Sequence, residues 1–332
     1  MDRLRTGILG CGSFAHRHAQ ILAALGDQAE MVAFSDRNEW KARAFADQYT
    51  AGQAAVFTDH HALLDAANLD LLIVCLPPYG HTDEVEMAAE RGVHLLIEKP
   101  IALDSEQGWQ MVEAAERAGI KTQVGFMFRF GEAVEQLKTL LASGEVGQPG
   151  LMSARYFCNA LHADWWRMRE KSGGQLVEQI IHMFDLLRYL VGDALTVYSR
   201  QENLFHTEVP GYTVEDISAT VVGFENGALG VVYATNGAIP GKWINDYRVV
   251  AQKLTAEFTD ANHATFTFTD APDRPPQVIA SDRDFRRAQM QDLLDAIRTD
   301  GQTRTPLREG AKSLDLVLAA MRSGASHGEV TL

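Results

Sequence analysis

Cysteine is scarce in this chain, with only Cys11, Cys75 and Cys158 in 332 residues. An odd, widely spaced set argues against a disulfide framework or a cysteine-built zinc site, and suits a reducing cytoplasmic setting. No stretch approaches 18 uninterrupted apolar residues, so no membrane-spanning helix is expected. The opening Met-Asp-Arg-Leu-Arg runs straight into an apolar segment and leaves no room for a signal peptide. Basic residues are outnumbered, 30 Lys and Arg against 44 Asp and Glu. The net charge of −14 argues against a nucleic-acid partner, whose phosphates require clustered cations. Internal repeats and low-complexity tracts are also missing. What remains is ordinary globular material, 46% hydrophobic and 22% charged, too long for one core and suited to two domains.

The most informative stretch is Arg5-Thr-Gly-Ile-Leu-Gly-Cys-Gly-Ser-Phe-Ala-His16. It reads as a short strand, a glycine turn and the first turn of a helix. Gly10, Gly12 and Ala15 match G-x-G-x-x-G/A, the dinucleotide fingerprint. Gly10 permits the sharp turn, Gly12 lets the backbone approach a pyrophosphate, and Ala15 keeps the helix close to the sheet. Ser13 and Phe14 complete the turn, and the helix N-terminus offers N–H groups to the phosphates. Apolar Met31–Ser35 ends in Asp36, 26 positions after Gly10, where an acid accepts hydrogen bonds from the adenosine ribose. Asp36 favours NAD. Arg37 beside it offers a guanidinium to the extra phosphate of NADP, so that cofactor stays possible.

Strands and helices alternate as far as Val124. Asp70–Leu76 and His94–Ile97 are continuous apolar runs, as in strands buried on both faces, and the first stops at Pro77-Pro78. Helices are expected over Glu39–Tyr49, His81–Arg91 and Asp104–Ala118. The pattern predicts a doubly wound parallel sheet with ligands at its carboxyl ends, where the glycine turn, Leu76, Pro77 and Lys99 fall. After Phe130 the rhythm changes. Leu151–Phe157 and six further strands between Leu195 and Phe268 predict a largely antiparallel sheet, with Asn226-Gly227 as a hairpin turn. Two helices close the chain, the second with Thr305 as N-cap and Pro306 at its first position. The expected division is 1–124, a dinucleotide-binding α/β domain, and 125–332, an α+β domain for substrate and assembly. Val221, Val231, Tyr233 and Val249 are candidates for an apolar outer face of the second sheet, and a homodimer or homotetramer is expected.

One long helix, Gly173–Val191, is predicted from a capping box at Ser172-Gly-Gly-Gln175. It is apolar nearly all round apart from a stripe of Glu178, His182, Asp185 and Tyr189. Asp185 pairs with Arg188 or faces a substrate. Glu178 and His182 suit the polar wall of a cavity, because buried polar groups need partners. As metal ligands the pair lacks an evident third, and no metal is expected. Lys99, between Glu98 and Pro100, is either a solvated lysine or an acid/base group beside the cofactor. His162 lies in the irregular stretch Asn159–Lys171. There Trp165-Trp166-Arg167 reads equally as core aromatics or as a rim that stacks on a sugar ring.

Taken together, Gly10-x-Gly12-x-x-Ala15, Pro77 with His81, Glu98-Lys99-Pro100, and Gly173-Gly174 followed by an acid, His182 and Asp185 resemble the glucose–fructose oxidoreductase/inositol dehydrogenase/MocA family. The likeness covers essentially the whole chain, including the Arg129 segment. It implies a Rossmann domain followed by an open-faced sheet, with an active site in the cleft between them. It implies that Lys99, Glu178 and His182 surround the hydroxyl being oxidised, and that His81, Glu98, Lys99 and Arg129 serve the cofactor. His162, Trp165, Trp166, Arg167 and Asp185 are candidates for the substrate side. The family most often has Asp where this chain has Glu178. The expected activity is an NAD(P)-dependent dehydrogenase of a sugar, inositol or related polyol. A glycosidase with transient redox and a dinucleotide-sensing regulator are the alternatives.

Overall fold

The computed structural model describes residues 2–332, which divide into two compact units, 2–125 with Arg286–Ala311 and Phe126–Phe285 with Lys312–Leu332. The first unit alternates β1 (Leu4–Leu9), α1 (Ala15–Ala24), β2 (Ala29–Ser35), α2 (Glu39–Thr50), β3 (Ala55–Phe57) and α3 (His60–Ala66). It continues with β4 (Leu71–Val74), α4 (Glu84–Glu90), β5 (His94–Ile97), α5 (Ser105–Ala118) and β6 (Thr122–Val124). The sheet order is β3-β2-β1-β4-β5-β6, and every pairing is parallel. Leu71, Leu72, Ile73 and Val74 are all fully buried, because helices cover both faces of an inner parallel strand. The order reverses between β1 and β4, and at that point an α/β sheet opens a crevice outside its carboxyl ends.

The second unit begins with α6 (Glu132–Ala142), β7 (Pro149–Phe157), α7 (Arg169–Ser172) and α8 (Ile181–Val191). The strands β8 (Ala194–Glu202), β9 (Ile217–Phe224), β10 (Leu229–Thr235), β11 (Tyr247–Ala251), β12 (Leu254–Phe258), β13 (His263–Phe268) and β14 (Gln277–Ala280) follow. They form the order β14-β13-β12-β11-β7-β10-β9-β8-β15, in which only β7 with β10 is parallel. The last strand, β15 (Val330–Thr331), and β14 escape the sequence pattern, since two and four residues carry almost no periodicity. α8 lies on β7 and β10, and the approach is close at Gly230, where a Cβ would stand 2.4 Å from Leu187 Cδ2. The other face carries exposed Val221 and Tyr233 with half-buried Val231, as expected. Val249 is a correction: it is fully buried opposite Met152, and Val250 is the residue turned outward. A strand's side chains alternate, so an error of one position puts a residue on the opposite face.

A single boundary near 124 also needs correction, because the chain returns to the first unit. α9 (Phe285–Thr299) inserts Met290, Leu293 and Leu294 into the core around Ile8 and Phe34. α10 (Leu307–Ser326) follows it. Its first turn is held by the Thr122 hydroxyl, which accepts from Leu307 N–H at 3.0 Å. The expected cap, Thr305, instead donates to the Val124 carbonyl at 2.9 Å.

α4 starts later than the expected His81. A short 3-10 turn, Pro78–Gly80, precedes it, and His81 is extended. The side chains of His81 and Glu84 are fully buried, with Nδ1 2.5 Å from Oε1, while Thr82 N–H donates to Glu84 Oε2 at 2.8 Å. Burial alone pushes the Glu84 carboxyl up, yet the contact with His81 and the Thr82 amide leave it below the usual range. A depressed folded-state value contributes stability above the unfolded value, about 4.3, and that stability is lost as the pH falls through the folded value. Glu84→Gln should therefore cost on the order of 1–3 kcal/mol at neutral pH, with the difference from wild type shrinking below about pH 4. Urea unfolding across that pH range checks it, and a pH-independent difference would refute the ionic account.

Candidate active site

Each unit carries its own candidate side chains. In the first, Gly10 has φ +88, and a Cβ there would meet the Cys75 carbonyl oxygen at 2.5 Å. Only glycine tolerates both the angle and the approach. A Cβ on Gly12 meets nothing within 4 Å, so space is open beside the backbone. Ala15 is fully buried against the sheet. Phe14 stands at the N-cap of α1 without a side-chain cap, Ser13 is exposed, and no acid occupies the first turn. Uncapped N–H groups, a positive helix end and free space together fit a pyrophosphate.

Asp36 follows β2 and is held at both oxygens. Oδ2 accepts from Cys11 N–H at 3.0 Å and Oδ1 from Asn38 N–H at 2.9 Å. Each oxygen keeps a further lone pair, so the carboxylate is oriented and still able to accept from ribose hydroxyls. Arg37 is exposed beside it. Burial, then the charge of Asp36, pushes the Cys11 thiol up to about 12, which excludes it as a thiolate. Leu76 and Pro77 remain partly accessible after β4, whereas the His81 side chain is buried against Glu84.

Glu98 ends β5, is only 8% exposed, and places Oε1 2.7 Å from His18 Nε2. Its carboxylate fills the space that Gly125 leaves, since a Cβ on Gly125 would lie 2.5 Å from Glu98 Oε2. His18 was not singled out by the sequence reading. Its signal was its place on α1, one helical turn beyond Ala15. Lys99 comes next and is partly buried.

In the second unit the predicted helix runs uninterrupted from Gln175 to Val191, but its first turn is wide. α7 ends at Gly173 (φ +77), Gly174 takes φ +103, Leu176–Ile180 winds as a π-helix, and α8 begins at Ile181. The capping box does not form. Ser172 Oγ accepts from Gly174 N–H at 3.1 Å, and the Leu176 N–H is taken by Glu215 Oε1 at 2.8 Å. That carboxylate occupies the position a Cβ on Gly174 would need, 2.6 Å away, and sequence spacing carries no trace of so distant a cap. Wide π-turns re-aim side chains and recur at functional sites. Glu178 lies in this one.

Glu178 Oε2 accepts from the indole N–H of Trp166 at 2.7 Å. His182, one turn on, is 6% exposed, with Phe128 and Phe126 at ring distances of 5.0 and 6.2 Å. The Gln179 amide lies 2.6 Å from His162 Nε2, and the imidazole of His162 sits 4.5 Å from Trp166 and 5.6 Å from Trp243. Glu178, Gln179, His162 and Trp166 thus form one cluster. Trp166 is 2% exposed in a small core with Tyr212 and Val214, against which Trp165 packs. The core reading of the tryptophans therefore holds for Trp166. Arg167 staples the loop by donating to the Leu161 and His162 carbonyls at 2.9 and 3.0 Å. Burial, then Glu178, raises the Cys158 thiol to about 12, so it stays protonated at neutral pH.

Asp185 is gripped from outside its own helix. It receives two hydrogen bonds from Arg129, Nε to Oδ2 at 2.8 Å and NH2 to Oδ1 at 2.6 Å, and a third from Ser313 at 3.1 Å. Arg129 arrives from a 3-10 turn, Met127–Phe130, and its planar fork matches the carboxylate. Arg188 reaches Ser313 at 2.9 Å and Asp193 at 3.3 Å. Arg129 and Asp185, expected at the cofactor and the substrate, are 2% and 1% exposed and spend their charges on each other.

Comparison with known proteins agrees with this geometry. Residues 4–126 match the family model described as "Oxidoreductase family, NAD-binding Rossmann fold", and residues 134–257 match the GFO/IDH/MocA C-terminal domain. A myo-inositol 2-dehydrogenase of Thermotoga maritima is 28% identical, over 72% of this chain and 70% of its own. A D-glucoside 3-dehydrogenase of Escherichia coli is 30% identical, over 68% of each. The solved structure of a levoglucosan dehydrogenase in complex with NADH superposes with a TM-score of 0.91 over 99% of both chains at 20% identity, a likeness of fold. The chain belongs to the GFO/IDH/MocA family of oxidoreductases, and its N-terminal domain is an NAD-binding Rossmann domain.

Proposed function

We propose that the protein is an NAD-dependent dehydrogenase that interconverts a secondary alcohol and a ketone on a sugar, inositol or related polyol. The observation that carries this is the acid and imidazole, Glu178 and His182, set one turn apart on a buried helix in a chain that also holds the dinucleotide turn. Relatives named as inositol and glucoside dehydrogenases support the substrate class. Bound nicotinamide would accept or return the hydride. His182 takes the hydroxyl proton, and the Lys99 ammonium stabilises the developing alkoxide. Glu178, tethered by Trp166, orients the substrate. His162 and Trp165 are the remaining substrate-side candidates. His182→Ala and Lys99→Ala should each lower kcat by on the order of 10² to 10⁴, with NAD affinity largely kept in the histidine variant. The test is absorbance at the NADH band with a panel of sugars, inositols and sugar acids. Full turnover by His182→Ala would remove it from the mechanism.

NAD is the preferred cofactor. A carboxylate fixed at both oxygens repels the 2′-phosphate of NADP, whereas the exposed Arg37 gains less in water. We expect kcat/KM to favour NAD by at least about tenfold, roughly 1.4 kcal/mol. Asp36→Ser should erode that preference. A wild type that favours NADP would make Arg37 the true reader.

The outer face of the second sheet supports self-association. Leu151 pairs with Leu229 and Val250, and Tyr198 with Val221, and all five are at least 40% exposed. We propose a homodimer or homotetramer through this face. Three free thiols suit a reducing cytoplasm. Light scattering that gave a monomer of 36.6 kDa at micromolar concentration would refute the assembly.

A further inference from the structure

Away from the dinucleotide turn, α3 opens with His60 and His61. Asp59 fixes that start by capping the helix through Ala62 N–H at 2.8 Å. Adjacent helical residues point about 100° apart and do not normally face one partner. These two do. Their rings are 4.3 Å apart at 34°, and the Nε2 atoms of His60 and His61 lie 2.7 and 3.6 Å from the same oxygen, Oδ1 of Asp83, just before α4. One donor atom from each of the three side chains lies within 4.8 Å of the other two, and among the described residues no other trio of such groups does so.

We infer that His60, His61 and Asp83 form a binding site for a divalent first-row metal ion of the zinc and cobalt class. Two imidazoles and a carboxylate suit such ions, whereas Mg²⁺ and Ca²⁺ prefer oxygen throughout. In a tetrahedral zinc site the bonds of about 2.0–2.2 Å place neighbouring donors roughly 3.3 Å apart. The separations from Asp83 Oδ1, 2.7 and 3.6 Å, lie on either side of that edge. A shared proton would satisfy the His60 contact alone. It gives no reason for His61 to turn to the same oxygen. His61 and Asp83 are about half exposed, which provides an entry path and room for water as the fourth ligand. The positive end of α3 opposes a cation, and the carboxylates of Asp59 and Asp83 offset it. The ion would clamp α3 to the turn after β4, because Asp83 directly precedes Glu84 of the buried pair with His81.

The test uses the tag-free full chain after chelator treatment, titrated with Zn²⁺ by calorimetry and with Co²⁺ by visible absorption. One equivalent should bind, with cobalt bands of four-coordinate intensity and a thermal midpoint that rises with Zn²⁺. His61→Ala and Asp83→Asn should each weaken binding at least about tenfold and abolish the thermal shift. His263→Ala, which alters an exposed histidine paired with Asp260, should change nothing. Circular dichroism establishes that the variants are folded, and two variants at solvent-accessible positions guard against one misfolding. Saturable binding that survives both substitutions, or no saturable binding up to millimolar zinc, would overturn the site.

Discussion

Arg129 and Asp185 meet through two hydrogen bonds with almost no solvent on either partner. An isolated charge at such a place costs several kcal/mol, so each requires the other. The same rule places His18 against Glu98 and His81 against Glu84. Three pairs of ionisable groups thereby become parts of the frame, and this separates the polar residues that hold the chain from those that face a ligand. Asp185, in the stripe with Glu178 and His182, belongs with the frame. Glu98, in the same tripeptide as Lys99, has a buried partner of its own, which fixes the end of β5 from which Lys99 departs.

Glycine makes these placements possible at three points. Gly10 lets the first turn approach the carbonyl of Cys75 across the point where strand order reverses. Gly125 leaves the volume that the Glu98 carboxylate occupies, and Gly174 leaves that of Glu215. In each case a carbonyl or carboxylate oxygen stands within 2.6 Å of where a Cβ would be, so the missing side chain is a positional requirement. The Glu215 contact then starts the π-turn that carries Glu178. Backbone close approach therefore governs the cofactor turn in one unit and the polar helix in the other.

The fold was legible wherever it follows periodicity. Continuous apolar runs marked β4 and β5, alternation marked most of the second sheet, and the spacing of Gly10, Gly12, Ala15 and Asp36 marked the dinucleotide turn. Contacts between residues far apart in sequence left no such trace. The return of α9 to the first core, the cap that Glu215 lends to Leu176, and the grip of Arg129 on Asp185 all arise from tertiary geometry. Lys99, Glu178 and His182 stand out as candidates by position in their elements. Trp166 has no such mark, since nothing in a tryptophan pair says which indole faces inward.

That tryptophan bears on the one departure from the family pattern. Glu178 is a methylene longer than the Asp that the family resemblance leads one to expect, and a longer carboxylate has more rotamers and a larger reach. An untethered glutamate would lose orientation at a site where errors near 1 Å are costly. The Trp166 N–H takes one of its oxygens at 2.7 Å, while Trp166 is itself fixed in the core with Tyr212 and Val214. The donor removes freedom that the extra methylene adds. Length and tether are therefore compatible only together: an aspartate at 178 would fall short of the indole by about one bond, and a phenylalanine at 166 would release the glutamate.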